Sequence, residues 1–511
     1  MDSKVDDIAT QGVIYDKEPS PIPENMAELA PRHREYLLER HGTLELDPVP
    51  AMDDADPYNW PSWKKVINLV LVAFHAMFGT FTAAAIIPAY FDISLDLGVS
   101  INTTSYLTSL QIAILGGAPL FWKPLSNRFG RRPIFLISLI GSLVCNIGCA
   151  KSPDYASMAA CRALVAFFIS PAGALGSAVV MECFFKRDRA KYMGVWTLLV
   201  TLGVPVSPFI FGFVAQRVSY RWIYWILAII NGVQFFLCLF FQPETRYIGG
   251  WDGPVSSGFR QKYWSFRRID PTPFTLYEFV KPLTMVTRPT VMIPAAAYAM
   301  VFLFVSVMCT VEIPQLLQLK FGLDAQSLGL QFLSLIIGSV LGEQLGGPLS
   351  DSWMRWKARR QGGQHAAAEH RLWLSYIGFL LAIAGIVVFL VQTQNSPAGH
   401  WNVTPIIGVA IAAFGNQVVT TVLITYAVDT NHTEAASVGV FITFVRQIWG
   451  FIGPFWFPDM FEKVGVAKSA GVAAALLVGV SLIPTMLLQW RGQAWRRTEK
   501  VVVGRNLAAV E

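Results

Sequence analysis

The chain has 511 residues, of which 53% are hydrophobic and only 14% charged, with a formal net charge of +6. Soluble proteins carry about 25% charged residues, so this chain is no string of polar-surfaced soluble domains, and its solvent is mostly lipid. The positive balance forms no basic face or stripe, which excludes nucleic acid as a partner.

Residues 1–60 form a polar tail rich in proline and acidic residues, with one short helix expected around His33 to Arg40. The tail has no apolar core that could act as a cleaved signal, so the first apolar helix is the expected targeting element. A bilayer core of ~30 Å takes ~20 apolar residues per helix. Such runs are expected at 66–90, 104–122, 133–150, 157–183, 191–215 and 222–242. After a polar connector they resume at 291–316, 327–349, 372–391, 401–428, 435–458 and 469–490. The reading is an all-α integral membrane protein with twelve transmembrane helices. Its parts are the tail 1–60, a bundle 61–242, a central loop 243–290, a second bundle 291–490 and a C-terminal tail 491–511.

Basic residues fix the expected orientation. Arg128, Arg131 and Arg132 fall between helices two and three, Lys186 to Lys191 between four and five, and Arg355 to Arg360 between eight and nine. By the positive-inside rule these connectors, both termini and the central loop are cytoplasmic. The central loop carries Arg260, Lys262, Arg267, Arg268 and Lys281, and reads either as lying on anionic lipid or as a solvated linker. Asn102 and Asn402 begin glycosylation sequons on the outer side, whereas the sequon at Asn431 is cytoplasmic. The six cysteines all sit in or beside apolar runs and read as small packing residues.

The halves repeat one another. Lys123-Pro-Leu-Ser-Asn127 is echoed by Gly347-Pro-Leu-Ser-Asp351, and Gly194-Val-Trp with Ser207-Pro-Phe by Gly439-Val-Phe with Gly453-Pro-Phe. Corresponding elements in the same order mark a duplicated transporter with its site between pseudo-symmetric bundles.

The run Lys123-Pro-Leu-Ser-Asn-Arg-Phe-Gly-Arg-Arg-Pro133 resembles the loop signature of the major facilitator superfamily. The resemblance implies a cytoplasmic latch made by Asn127, Arg128, Gly130, Arg131 and Arg132, with Asp351 as the counterpart in the second half. Lys123 replaces the family's Gly and Asn127 its Asp, which weakens a charge-based latch. A second run, Gly194-x8-Gly203-x3-Ser207-Pro208-x2-Phe211-Gly212, resembles the motif of proton-coupled drug antiporters. A generic small-residue packing face is the competing account. Pro243-Glu-Thr-Arg246 and Asp56-Pro-Tyr-Asn-Trp60 are similar to sequences of the fungal drug:proton antiporters.

Charged groups inside a membrane are costly and tend to be functional. Arg162, Glu312 and Glu343 are the candidates for proton coupling, the first also by resemblance. Arg162 could instead snorkel to the interface, and Glu343 could anchor the adjacent loop. His75, Gln111, Trp196, Gln331, Asn416 and Arg446 are candidates for a substrate cavity. Their alternative is helix-to-helix bonding, for Arg446 a fixed pair with Glu343 or a backbone carbonyl.

No P-loop, nucleophile elbow or metal cluster is present, so an enzyme or an ATP-driven pump is not expected. The resemblance implies proton-driven efflux of a small organic compound by a monomer in the plasma membrane, with no cofactor beyond the proton gradient. Proton-coupled uptake of an organic cation or nutrient is the alternative, and a non-transporting membrane sensor a remote one.

Overall fold

The computed structural model describes residues 29–248, 268–270, 273–360, 367–431 and 434–508. Arg260, Lys262 and Arg267 of the central loop lie outside these residues, as do residues 1–28 of the N-terminal tail.

The described chain is helical throughout its membrane portion. Span one runs Ser62–Leu97, three Arg131–Lys151, four Tyr155–Cys183, five Lys186–Arg217 and six Tyr220–Phe241. In the second half, span seven runs Pro289–Phe321, eight Ala325–Arg360, nine Ala368–Asn395, ten Thr404–Thr430, eleven Ala435–Phe455 and twelve Val466–Arg496. These eleven are long and apolar enough to cross a bilayer. Ile101–Phe129, with 29 residues, is long enough to be span two. It is the least apolar because Thr104, Ser105, Thr108, Ser109 and Gln111 line its buried side.

The duplication seen in the sequence is repeated in how the helices begin. Spans one and seven both end at a left-handed glycine, Gly98 (φ 64°) and Gly322 (φ 67°). Two residues later Ser100 accepts from the Thr103 amide at 3.1 Å and Asp324 from the Ser327 amide at 2.9 Å. Asp154 caps span four through the Ser157 amide at 2.8 Å, and Asn402 accepts from the Thr404 amide at 3.0 Å before span ten. Each cap satisfies amides that a helix start leaves without partners.

Several spans are not continuous α-helix. Span four is interrupted at Ser170–Pro171, and span seven widens to a π-helical turn at Phe302–Met308. Such turns recur at functional sites, and this one faces the centre of the molecule.

The segment before span one is more ordered than its composition predicts. Pro31–His41 is a helix, as expected, closed by Gly42 at φ 68°. The Asn59 amide donates to the Ala51 and Asp53 carbonyls at 2.7 Å each. Asp56 accepts from the Tyr58 and Ala51 amides at 2.9 and 2.8 Å, and Tyr58 donates to the Met181 carbonyl. Lys186 pairs with Asp47 at 3.1 Å. These bonds fold residues 30–60 into a cap on the first bundle. We call the side of the molecule carrying this cap the terminal face.

A central cavity and the clusters that gate it

The two bundles enclose a cavity of about 1240 Å³. It runs from mid-membrane, where Thr108, Thr310 and Ser339 line it, to the terminal face, where Pro50, Tyr58 and Tyr247 edge its mouth. The opposite face is closed by direct contact between the bundles. Tyr106 of span two stacks on Phe455 of span eleven with ring centroids 4.5 Å apart. Span five meets span eight at Gly212 and Gly329, where a Cβ on Gly212 would lie 2.6 Å from the Ala325 carbonyl oxygen. The antiporter-like run therefore packs backbone on backbone across the bundle interface. At Gly203 it packs on span one, where a Cβ would sit 2.5 Å from the Met77 carbonyl oxygen. Ser207 bonds the Phe81 carbonyl at 2.6 Å. Pro208 supplies its carbonyl to the Gly329 contact, while a Cβ on Gly194 would meet open space.

Of the candidate cavity residues, Trp196, Asn416 and Arg446 line the cavity, and so does Glu343. The reading of Glu343 as a loop anchor does not hold. Its carboxylate accepts from the Gln417 amide at 3.0 Å, and Gln417 in turn accepts from Asn416 at 3.1 Å. Span eight stays helical to Arg360, so about five turns separate Glu343 from the loop, and its side chain meets span ten instead. Arg446 likewise does not pair with Glu343. Its Nη1 donates to the Tyr298 hydroxyl at 2.9 Å, and its guanidinium lies 4.8 Å from the Phe302 ring centre.

The remaining three are not cavity residues. His75 is buried and shares a hydrogen bond with Ser138 at 3.0 Å. Gln331 sits at the start of span eight, near the closed face, where it donates to the Ser327 carbonyl and accepts from Trp401. Gln111 accepts from Arg162 Nη2 at 2.6 Å. In each case helix-to-helix or local bonding, the bland alternative, accounts for the residue.

Arg162 does not snorkel. It is fully buried, and its guanidinium also donates to the Leu107 and Ala83 carbonyls and the Tyr224 hydroxyl, each at 3.2 Å. It thus ties span four to spans one, two and six. Glu312 is 1% exposed, and its Oε1 has no hydrogen-bond partner. It lies outside the cavity, toward the closed face, within electrostatic reach of Tyr90 in the first bundle. Tyr90 donates to Thr108 at 2.7 Å, and Thr108 lines the cavity.

The loop signature forms a second cluster at the terminal face. Gly130 adopts φ 94°, and a Cβ there would overlap the Glu244 carboxylate. That carboxylate accepts from the Arg131 and Arg132 amides at 2.8 and 2.9 Å, capping span three. Burial pushes the Glu244 carboxyl above its ordinary range, and its backbone amide partners pull it back. Arg131 bonds Glu182 of span four at 2.8 Å and Asn127 at 2.9 Å, so Asn127 holds a side chain and not a helix end. Thr245 also donates to Glu182, at 2.8 Å. Arg128 reaches the central segment, pairing with Asp270 at 2.6 Å and with Glu278. In the second half Asp351 pairs with Arg371 at 3.2 Å, which also lies 3.5 Å from Asp429.

Residues 69–454 match the Major Facilitator Superfamily. The chain belongs to that family. Among its relatives, the efflux pump vrtL of Penicillium aethiopicum is 26% identical over 92% of this chain and 95% of its own. The antiporter QDR3 of Candida albicans is 31% identical, over 41% of this chain and 30% of its own. A peptide transporter POT, solved with alafosfalin, superposes with a TM-score of 0.62 at 14% identity, over 87% of this chain and 97% of that one. This superfamily member is accordingly a multi-pass membrane transporter with two pseudo-symmetric six-helix bundles, and not an enzyme.

Neither Glu244 nor Glu182 stands out in the sequence as a partner of the loop arginines. The signal for Glu244 is present, since it is the acid of the Pro243-Glu-Thr-Arg246 run. Glu182 carries no motif and is found only by the crossing of spans three and four.

Proposed function

We propose that this protein exports a small organic compound in exchange for protons by alternating access, with the terminal face in the cytoplasm of a plasma-membrane monomer. The cavity carries the reading: it is large enough for a drug-sized molecule, reaches the terminal face, and is shut off from the other side by interlocked helices. In this state a cytoplasmic compound enters between the bundles. The names of vrtL and QDR3 agree with export and antiport.

Glu312 supplies the proton site. A carboxylate without a hydrogen-bond partner in a dry interface is costly when ionised, so it takes a proton whenever the closed face parts and water reaches it. Its neighbour Tyr90 belongs to the other bundle, so protonation changes the contact on which closure rests. Arg162, saturated by neutral acceptors, positions spans one and two around that contact. It does not itself exchange a proton.

The test is metabolite profiling of cells and medium in a strain lacking the protein, rescued by wild type or Glu312→Gln. Export predicts a compound that accumulates in deleted cells, leaves the medium, and is restored by wild type but not by Glu312→Gln. A compound stranded in the medium and depleted from cells would mean uptake. Full rescue by Glu312→Gln would remove Glu312 from the mechanism.

A further inference from the structure

We propose that the transported compound is an organic anion, in the simplest case an aromatic carboxylate, and that Arg446 holds its charge. This rests on the export reading for the cavity being the substrate path.

Beyond the mouth, the cavity wall carries two charged side chains among the described residues, Glu343 and Arg446. Their surroundings differ. Glu343 is engaged by the Gln417 amide at 3.0 Å, and Gln417 is itself fixed by Asn416. Arg446 forms no ion pair with any described residue. The one acceptor on it is the Tyr298 hydroxyl, 2.9 Å from Nη1, and Nε has no partner. Nε is enclosed by protein, so the donors left over are at the tip, and the Nη1–Nη2 edge is one on which a guanidinium takes a carboxylate through two parallel hydrogen bonds. The comparison within the molecule is informative. The other deeply embedded arginine, Arg162, fills its donors with four protein acceptors and is cut off from the cavity. Arg446 is left with donors to spare and faces the cavity.

The groups around that edge suit an aromatic acid. The Arg446 guanidinium lies 4.8 Å from the Phe302 ring centre and 5.7 Å from that of Tyr298, so the cation is flanked by aromatic faces. Trp196 lines the cavity from the first bundle, its indole nitrogen packed against Gly176 of span four, and adds a third aromatic ring to the wall.

The mouth leans toward the same sign, with Lys123, Arg131 and Arg246 in its wall against Asp56 and Glu182. Lys123, at the position where the family loop has Gly, stands in the cavity wall and forms no ion pair with a described residue. The charges acting on it are Arg131 and Lys281, both positive. An anion entering from the terminal face meets Lys123 first and Arg446 deeper, whereas a cation is opposed at both.

Calorimetry on the full-length protein in detergent at neutral pH tests this with three probes of one shape: naphthalene-2-carboxylate, 2-naphthylmethanol and 2-naphthylmethylammonium. Wild type is expected to bind the carboxylate best. Arg446→Gln should weaken it by about tenfold or more, and Arg446→Lys, which keeps the charge but not the fork, by less. Binding led by the ammonium, by the alcohol, or by none of the three overturns the proposal, as does unchanged carboxylate affinity in Arg446→Gln. If Arg446→Gln fails to fold, the ranking on wild type and the Arg446→Lys comparison still decide. No gradient is present, so the result is independent of direction and proton coupling. Carboxylate binding alongside export that ignores Glu312→Gln would sink the antiport reading alone.

Discussion

Replacing Gly212 by Ala should push the two bundles apart at the closed face. A Cβ at this position would lie 2.6 Å from the Ala325 carbonyl oxygen and 3.0 Å from Gly329 Cα. Both are backbone atoms of span eight and cannot swing away as a side chain could. Overpacking of this kind costs about 1–3 kcal/mol. The cost falls only on the state in which the closed face is shut. The ratio of shut to parted molecules should therefore drop by about fivefold to a hundredfold. Arg217 and Gln326 flank the contact and share a hydrogen bond of 3.4 Å. A cysteine at each of these two positions, joined by a short bismaleimide, reports the shut state directly. In the Gly212→Ala background the cross-linking rate should fall, and spin labels at the same sites should show a longer distance. An unchanged rate and distance would show that the glycine contact does not hold the face shut, and the packing argument would be wrong.

Three further outcomes follow from the terminal face. Glu244→Gln keeps the shape of the cap on span three and removes the cost of ionising a buried carboxyl, so near neutral pH it should hold or raise stability in thermal melts, and a clear loss would refute the sign of the shift. The folded carboxyl is pushed above its ordinary range. Its contribution is thus fullest below the unfolded value of about 4.3 and is lost as pH rises through the folded one, a slope that Glu244→Gln should flatten in melts taken across that window. Asp270→Asn with Glu278→Gln removes both carboxylates from Arg128, and limited proteolysis should then cut residues 268–288 at least several-fold faster. Asn59→Ala breaks two 2.7 Å bonds of the cap, so amide exchange over residues 31–60 should rise by about tenfold, and an unchanged pattern would mean that the cap does not depend on them.

The helices and their duplication were legible because lipid imposes a crude rule: long apolar runs, with charges between them. Span two shows the limit of that rule. Its polar residues face a cavity and a buried arginine, so it reads as less apolar than it must be to cross. Glycine spacing in span five pointed to a close approach, but not to what approaches. Gly212 meets span eight across the interface while Gly203 meets span one within its own bundle. Depth alone could not sort His75, Gln111 and Gln331 from Trp196, Asn416 and Arg446, since all six lie inside apolar runs. Which of them faces the cavity depends on helix rotation, and all-round apolar helices give no periodicity to fix it. Glu343 was misread because nearness to a loop in sequence was taken for nearness in space. The cap at 30–60 was missed because its order comes from side chains of Asn59, Asp56 and Tyr58 bonding backbone, which composition does not register.

The central segment has two moorings, one on each bundle. Glu278 is held by Arg128 of span two, and Lys281 lies 3.6 Å from Glu434, just before span eleven, where Arg288 also pairs at 2.6 Å. Three residues of fully extended chain reach only ~10 Å, so this corner of the entrance has a short leash. The bundles cannot swing apart there like a pair of shutters without slipping one mooring. The entrance must widen from its far edge, as a book opens about its spine, and the stretch between Glu278 and Lys281 is where the binding of that book is sewn.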